Sequence, residues 1–404
     1  MALLLRLVPG RSRSIARSLR PHRFLASLAH GDDAAAEGMA AQILDYAAAA
    51  RKKGGAGYLD AMQVLEHGVS FVKNSGPSAA NALCKIQFAI ADFHADQGKV
   101  SDATEVLHGV SSNESAGLEV RVSALEALVG LYLQIHEDEL ASAQLQTISE
   151  LATPESDIGP RSQALAGLVK LSGGQFDAAA ASCFEAFPPD TKQGAAILSR
   201  AEVAHVRGDD KEAKNFYESA AALAKNETDK SKGATMTSTE VHSAALAGLG
   251  QLSADLGCFD EAEKFLTEGL QVAESISGET HARVGLVLSC MADLYSRRAK
   301  AENSGFMIAE GLYRRSLNLL KAPPLEKEAK DKLQYLDAIA ITRARYADIL
   351  SSVEQRASEA ERLKSWATAA WRNQRSLSDV LKAAARDNGS KLHSVIDVRL
   401  GRVF

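Results

Sequence analysis

The stretch Leu246-Ala247-Gly248-Leu249-Gly250-Gln251-Leu252-Ser253, followed nine residues on by Ala262-Glu263-Lys264-Phe265-Leu266, decides how this chain folds. Both segments carry apolar or small residues at helical spacing, and Gly257 separates them. A small residue such as Ala262 lets two antiparallel helix axes approach, and Leu266, one turn further, covers the same face. Gly257 supplies the left-handed residue that ends the first helix without steric cost.

The same step from glycine to alanine recurs. Gly98 precedes Ala103, Gly174 precedes Ala179, and Gly208 precedes Ala213, each by the five positions that join Gly257 to Ala262. His136 and Ala141 keep the step with His in place of Gly, and a weaker first copy surrounds Ala61. With Ala309 and Ala360 these anchors stand 34 to 51 residues apart. Leu249, Gly250 and Tyr295 join the alanines as expected packing positions. One hairpin cannot bury both of its faces, so neighbours must stack. The expected fold is all-α, a right-handed α-solenoid of about eight stacked helical hairpins over residues 35–350.

In that spacing the chain resembles the tetratricopeptide repeats, whose period is about 34. From Val241 to Leu320 it is similar to the kinesin-light-chain type. Gly278-Glu279-Thr280-His281 stands where that type has a Gly-x-x-His turn, and Val284, Leu288, Ala292, Leu294 and Tyr295 follow where it has the apolar face of the next first helix. Ala262-Glu263-Lys264-Phe265 with Gly269-Leu270 matches a further block. Ser253 departs from the usual aromatic and Gly269 from the usual alanine. The resemblance implies a fold and a habit of binding peptides in a concave groove, and it implies no motor role.

Carrying the family's groove positions over by spacing gives Asp92 and Asp96, Glu202 and His205, Gln251 and Asp255, then Asp293 and Arg297. The projected groove is acidic and lacks the Lys, Arg and Asn clamp with which related domains hold acidic chaperone tails. The expected partner is therefore a protein with a basic or neutral peptide segment.

Composition agrees with helices. Aromatics are 5% and Pro only 9 of 404 residues, against 46% hydrophobic residues, a profile that favours helix over sheet. No apolar run reaches the ~18 residues of a membrane-spanning helix. Before the first acid, Asp32, come Arg6, Arg11, Arg13, Arg17, Arg20 and Arg23 among Leu, Ser and Ala. That is the composition of a transit peptide, and Arg23-Phe24-Leu25 resembles a matrix-protease site. Residues 1–25 are expected to direct the chain to the mitochondrion, most simply its matrix, with the plastid as alternative. Their removal takes six arginines and no acid from a formal charge of −5. Nucleic acid is not expected as a partner, since binding it needs a basic face; Arg314-Arg315 and the pair Arg343 and Arg345 read as solvated helix faces.

Residues 351–385 are expected to form a capping helix with Leu363, Trp366, Ala370 and Trp371 on one face, the two tryptophans offering an alternative docking face. Residues 386–404 read as a frayed tail, and Asn226–Thr239 as a linker.

Signatures of chemistry are missing. The chain has no G-x-x-x-x-G-K-[ST], H-E-x-x-H or G-x-S-x-G. Gly248-x-Gly250 lies mid-helix, Cys84, Cys183, Cys258 and Cys290 read as small buried hydrophobes, and His136-Glu137-Asp138-Glu139 reads as a solvated turn. His94, His205 and His242 are scattered. No enzyme, cofactor or metal site is expected. The sequence points to a protein-interaction scaffold in mitochondria, in assembly or turnover of a complex; the alternative is an organellar RNA-associated helical repeat protein, which the uneven repeat length disfavours.

Overall fold

The computed structural model describes residues 33–53, 55–73, 79–151, 158–185, 194–226, 237–328, 333–384 and 392–404. The expected targeting segment 1–25 and most of the expected linker lie outside them.

Among the described residues sixteen helices pair into eight antiparallel hairpins: α1 (Asp33–Arg51) with α2 (Gly55–Lys73), α3 (Ala80–Asp96) with α4 (Val100–Ser111), α5 (Leu118–Gln134) with α6 (Asp138–Leu151), and α7 (Ile158–Ser172) with the short α8 (Phe176–Ala180), which runs into a π turn. Then follow α9 (Gly194–Arg207) with α10 (Asp210–Asn226), α11 (Ser238–Asp255) with α12 (Phe259–Ser277), α13 (Ala282–Glu302) with α14 (Met307–Leu319), and α15 (Leu336–Ser351) with α16 (Ala357–Ala370). The chain is an α-solenoid of stacked hairpins.

The eight anchor alanines are all buried in the helix contacts. Leu249 is buried as well, while Tyr295 is only partly buried and donates to Glu263 at 2.8 Å. At the opening motif a Cβ on Gly250 would overlap Leu266 of α12, and one on Gly248 would overlap Tyr217 of α10. Glycine at these two places brings α11 against its own partner and against the preceding hairpin.

The inter-helix turns share one geometry. Gly98, Gly174, Gly208 and Gly257 have φ between 69° and 80°. In each, the glycine N–H donates three residues back and the next N–H five back, as in Gly257 to Ala254 (3.1 Å) and Cys258 to Ser253 (2.8 Å). This is the Schellman closure of a helix. His136, with φ 62°, makes the same pair of bonds without being glycine.

The C-terminal part departs from expectation. Between 352 and 384 the chain forms a 3-10 turn (Glu354–Arg356) and two helices, α16 as the second helix of hairpin eight and α17 (Leu377–Ala384) beyond a break at 371–376. Trp366 faces inward: the Arg343 guanidinium lies 3.8 Å over its ring and its indole N–H donates to the Lys327 carbonyl at 2.8 Å. Trp371 donates to the Arg375 carbonyl. Neither indole is presented as a docking face.

The expected tail 386–404 is described from residue 392, and that part is not frayed. Residues 392–404 run inside the solenoid, where β1 (Ile396–Asp397) and β2 (Arg402–Val403) pair antiparallel with Ile396 opposite Val403. Val395 and Phe404 exchange two backbone bonds, and Gly401, φ 65°, closes the turn onto the Asp397 carbonyl. Ile396, Val398 and Val403 join the core of hairpins five to eight, whereas Val395, Leu400 and Phe404 join the core of hairpins two to five. The hairpin thus fuses two hydrophobic cores across the hollow of the solenoid.

Candidate functional site

Inner-face residues of the first helices recur at i and i+3 or i+4, so each pair points the same way. Glu202 and His205 project from α9, Gln251 and Asp255 from α11, Asp293 and Arg297 from α13. The structure brings these six into one continuous concave face. Asp92 and Asp96 of α3 lie elsewhere, at a contact between the first hairpins and the seventh.

At one end the face is filled by the C-terminal hairpin. The Gln251 amide donates to the Ile396 carbonyl at 3.0 Å and accepts from the Ile396 N–H at 2.9 Å, as a neighbouring strand would. Arg399 reaches Glu202 at 2.6 Å and Asp397 at 2.9 Å, with the arginine and both acids almost wholly buried. Burial drives the Glu202 carboxyl well above its usual range, and the Arg399 charge only partly opposes this. Arg402 donates to the Leu133 and Ser172 carbonyls and to Asp138. Arg375 and Asn373 hold the His393 and Val403 carbonyls.

Further along, the face alternates in sign. Asp255 takes His205 Nε2 at 3.1 Å and the Arg297 guanidinium; Arg297 also bonds Asp293 at 2.8 Å, and Arg345 lies 3.4 Å from Asp293. Burial alone would raise the Asp255 pKa, but Arg297 and His205 hold it well below the carboxylate range. Here the hairpins leave a cleft of about 990 Å³ between Asp255 and α17, with Lys300, Lys364, Lys382, Asp348 and Glu361 at its edges.

The projected acidic groove is therefore corrected to a charge-compensated one. Each acid has a cation beside it from the same chain: Asp96 from Arg51, Glu202 from Arg399, Asp255 from Arg297, Asp293 from Arg297 and Arg345. Asp92, partly exposed, lies 3.9 Å from Arg51; burial is the larger influence and pushes it up to about 7.

Other expectations change for the same reason. Arg343 and Arg345 are buried pairing residues rather than a solvated face, since Trp366 and Asp293 receive them. The turn at His136 is only partly solvated: Glu139 is exposed, but His136 lies 3.2 Å from buried Asp337 and Asp138 binds Arg402. Cys84, Cys183 and Cys290 are buried, but Cys258 is exposed where it precedes α12. The histidines are not all isolated: the fold brings His205, Asp255 and His393 together.

Comparison with solved structures agrees with this architecture. The crystal structure of the APC/C hetero-tetramer Cut9-Hcn1 is similar over 76% of this chain and 50% of that one, at 14% identity and a TM-score of 0.50. The fold is shared. This chain spans about half the length of that solved chain. BtubC (BKLC) from P. vanneervenii (18% identity, 61% of this chain and 95% of that one) and a STAND protein with a tetratricopeptide repeat sensor from Pyrococcus horikoshii (12%, 85% and 53%) superpose with TM-scores of 0.40 and 0.39. No protein-family model and no curated protein matches the sequence. Among the described residues no helix is long and apolar enough to cross a membrane.

Proposed function

We propose that this chain is a non-enzymatic scaffold that holds an extended segment of a partner protein in its concave face, and that it does so in mitochondria. The observation that carries the reading is the way the face already holds an extended segment. Gln251 pairs with the backbone of Ile396 at both its donor and its acceptor, which is sequence-tolerant recognition of a strand.

The open cleft beside that segment is the place for the partner. Its acids are taken up by Arg297 and Arg345, and its rim carries lysines as well as acids, so a neutral segment suits it better than a strongly basic one. The mitochondrial address rests on the arginine-rich, acid-free composition of residues 1–25.

The test places a photo-crosslinking amino acid at exposed Lys364 on the cleft rim, with outer-face Lys264 as control, in protein expressed in mitochondria. Cross-links from position 364 to one internal stretch of a protein, absent from position 264, are expected. Equal labelling from both faces, or labelling of RNA alone, overturns the reading.

A further inference from the structure

We propose that His205, Asp255 and His393 form a binding site for a divalent transition metal of the zinc class, which fastens the C-terminal segment to hairpins five and six. This stands apart from the partner reading, since the ion would secure the part of the groove that the chain itself fills.

Three elements far apart in sequence converge here. His205 comes from the last turn of α9, Asp255 from the end of α11, and His393 from the segment leading into β1. One ligand atom of each lies within 4.8 Å of the other two. Asp255 Oδ2 stands 3.1 Å from His205 Nε2 and 4.0 Å from His393 Nδ1. A tetrahedral zinc with bonds of about 2.0–2.1 Å sets neighbouring ligand atoms about 3.4 Å apart. His205 and Asp255 are near that separation, and His393, whose ligand atom lies within 4.8 Å of the other two, needs a movement of up to about 1.5 Å to reach it.

The surroundings suit a cation more than a bare cluster of hydrogen bonds. His205 is wholly buried and its other nitrogen, Nδ1, faces the Tyr217 hydroxyl at 3.3 Å, the outer contact that orients a ligating imidazole. Arg297 engages Asp255 Oδ1, which leaves Oδ2 as the oxygen turned to both histidines. The charge of Arg297 is shared with Asp293 at 2.8 Å. Two imidazoles and one carboxylate are a ligand set suited to a zinc-class ion, and Asp210 Oδ1, 3.8 Å from His393 Nδ1, adds negative charge beside it. Gly208 makes room: with φ 80° it ends α9, and a Cβ there would come 3.3 Å from His393 Nε2. The two imidazole rings meet at 72° with centroids 6.0 Å apart, so they are not stacked.

Because one ligand belongs to the C-terminal segment, binding must stabilise the folded arrangement in which that segment is docked. The experiment titrates metal-free full chain with Zn²⁺ by calorimetry and with Co²⁺ by visible absorption, and follows amide exchange of residues 392–404. One equivalent is expected to bind, with the absorption of a four- or five-coordinate cobalt site and slower exchange in the segment. His393→Ala, at a partly exposed position that leaves the core intact, should weaken Zn²⁺ at least about tenfold, whereas His67→Ala should not. If His393→Ala binds as tightly as the unaltered chain, if Co²⁺ stays octahedral, or if metal leaves exchange at 392–404 unchanged, the assignment is wrong.

Discussion

His281 Nε2 lies 2.8 Å from Asp96 Oδ1, joining residues 185 positions apart. His281 is the last residue of the Gly-x-x-His turn, and its other nitrogen, Nδ1, accepts the Arg283 N–H as the N-cap of α13. Nδ1 is therefore the bare nitrogen and Nε2 carries the proton given to Asp96. Asp96 also holds Arg51 at 2.6 Å and Tyr58 at 3.0 Å, and Gly278 packs against Lys52, whose carbonyl a Cβ would approach to 2.9 Å. The turn between hairpins six and seven is thus where the first two hairpins close onto the far part of the solenoid.

His281→Ala should destabilise the chain by about 2–3 kcal/mol, a lost N-cap plus a lost hydrogen bond to a charged group. Urea unfolding measures it. A cost under about 0.5 kcal/mol, the range of a surface change, would show that the turn closes nothing.

The same contact predicts a pH profile. Burial would raise Asp96, but Arg51 and then His281 hold it well below the carboxylate range, while burial lowers His281 from its usual 6.5. A group with a depressed folded pKa contributes stability above its unfolded pKa and loses it as the pH falls through the folded value. Stability should therefore begin to decline below about pH 6.5, where the unfolded chain takes up a proton at His281 that the folded chain still excludes, and decline further below about pH 4, where the same holds for Asp96. Asp96→Asn should remove its share of the acid limb. An unchanged acid slope in that variant would exclude Asp96 as a source.

Arg399→Met should cost about 3–5 kcal/mol, because Glu202 and Asp397 stay buried with their common cation gone. Adding Glu202→Gln should recover part of that loss, since an amide needs no counter-charge. If the double variant is no better than the single one, the pair does not carry the docking of the hairpin.

The sequence made the array legible because its signals are local. Gly-to-Ala steps of five residues are the Schellman turn and the first buried contact of the next helix, both set within one hairpin. The C-terminal hairpin was missed for the opposite reason. Val395 to Phe404 does carry apolar residues about an Asp-to-Gly turn, a usable strand signal. Its place in the hollow, however, depends on Glu202, Gln251 and Asp138, which lie well over a hundred residues away; the first two read as lining for a foreign ligand and Asp138 as part of a solvated turn. Charge counted along the helix faces likewise gave an acidic groove, since Arg51, Arg345 and Arg399 could not be placed beside Asp96, Asp293 and Glu202 without the superhelix.

The opening glycines give a test in which one substitution changes sign with place. Gly→Ala inside a helix gains about 1 kcal/mol of propensity. At Gly311 of α14 a Cβ meets nothing within 4 Å, so Gly311→Ala should stabilise by about 0.5–1 kcal/mol. At Gly248 the methyl would run into the ring of Tyr217, which is fully buried and faces His205 through its hydroxyl. Neither the ring nor its neighbours can retreat without reopening the contact between hairpins five and six. Overpacking of this kind costs about 1–3 kcal/mol, which cancels or exceeds the propensity gain, so Gly248→Ala should be neutral to destabilising by about 2 kcal/mol. Thermal unfolding of the two variants side by side decides it. If Gly248→Ala stabilises as much as Gly311→Ala, the close approach of α11 to Tyr217 is not a constraint on the fold.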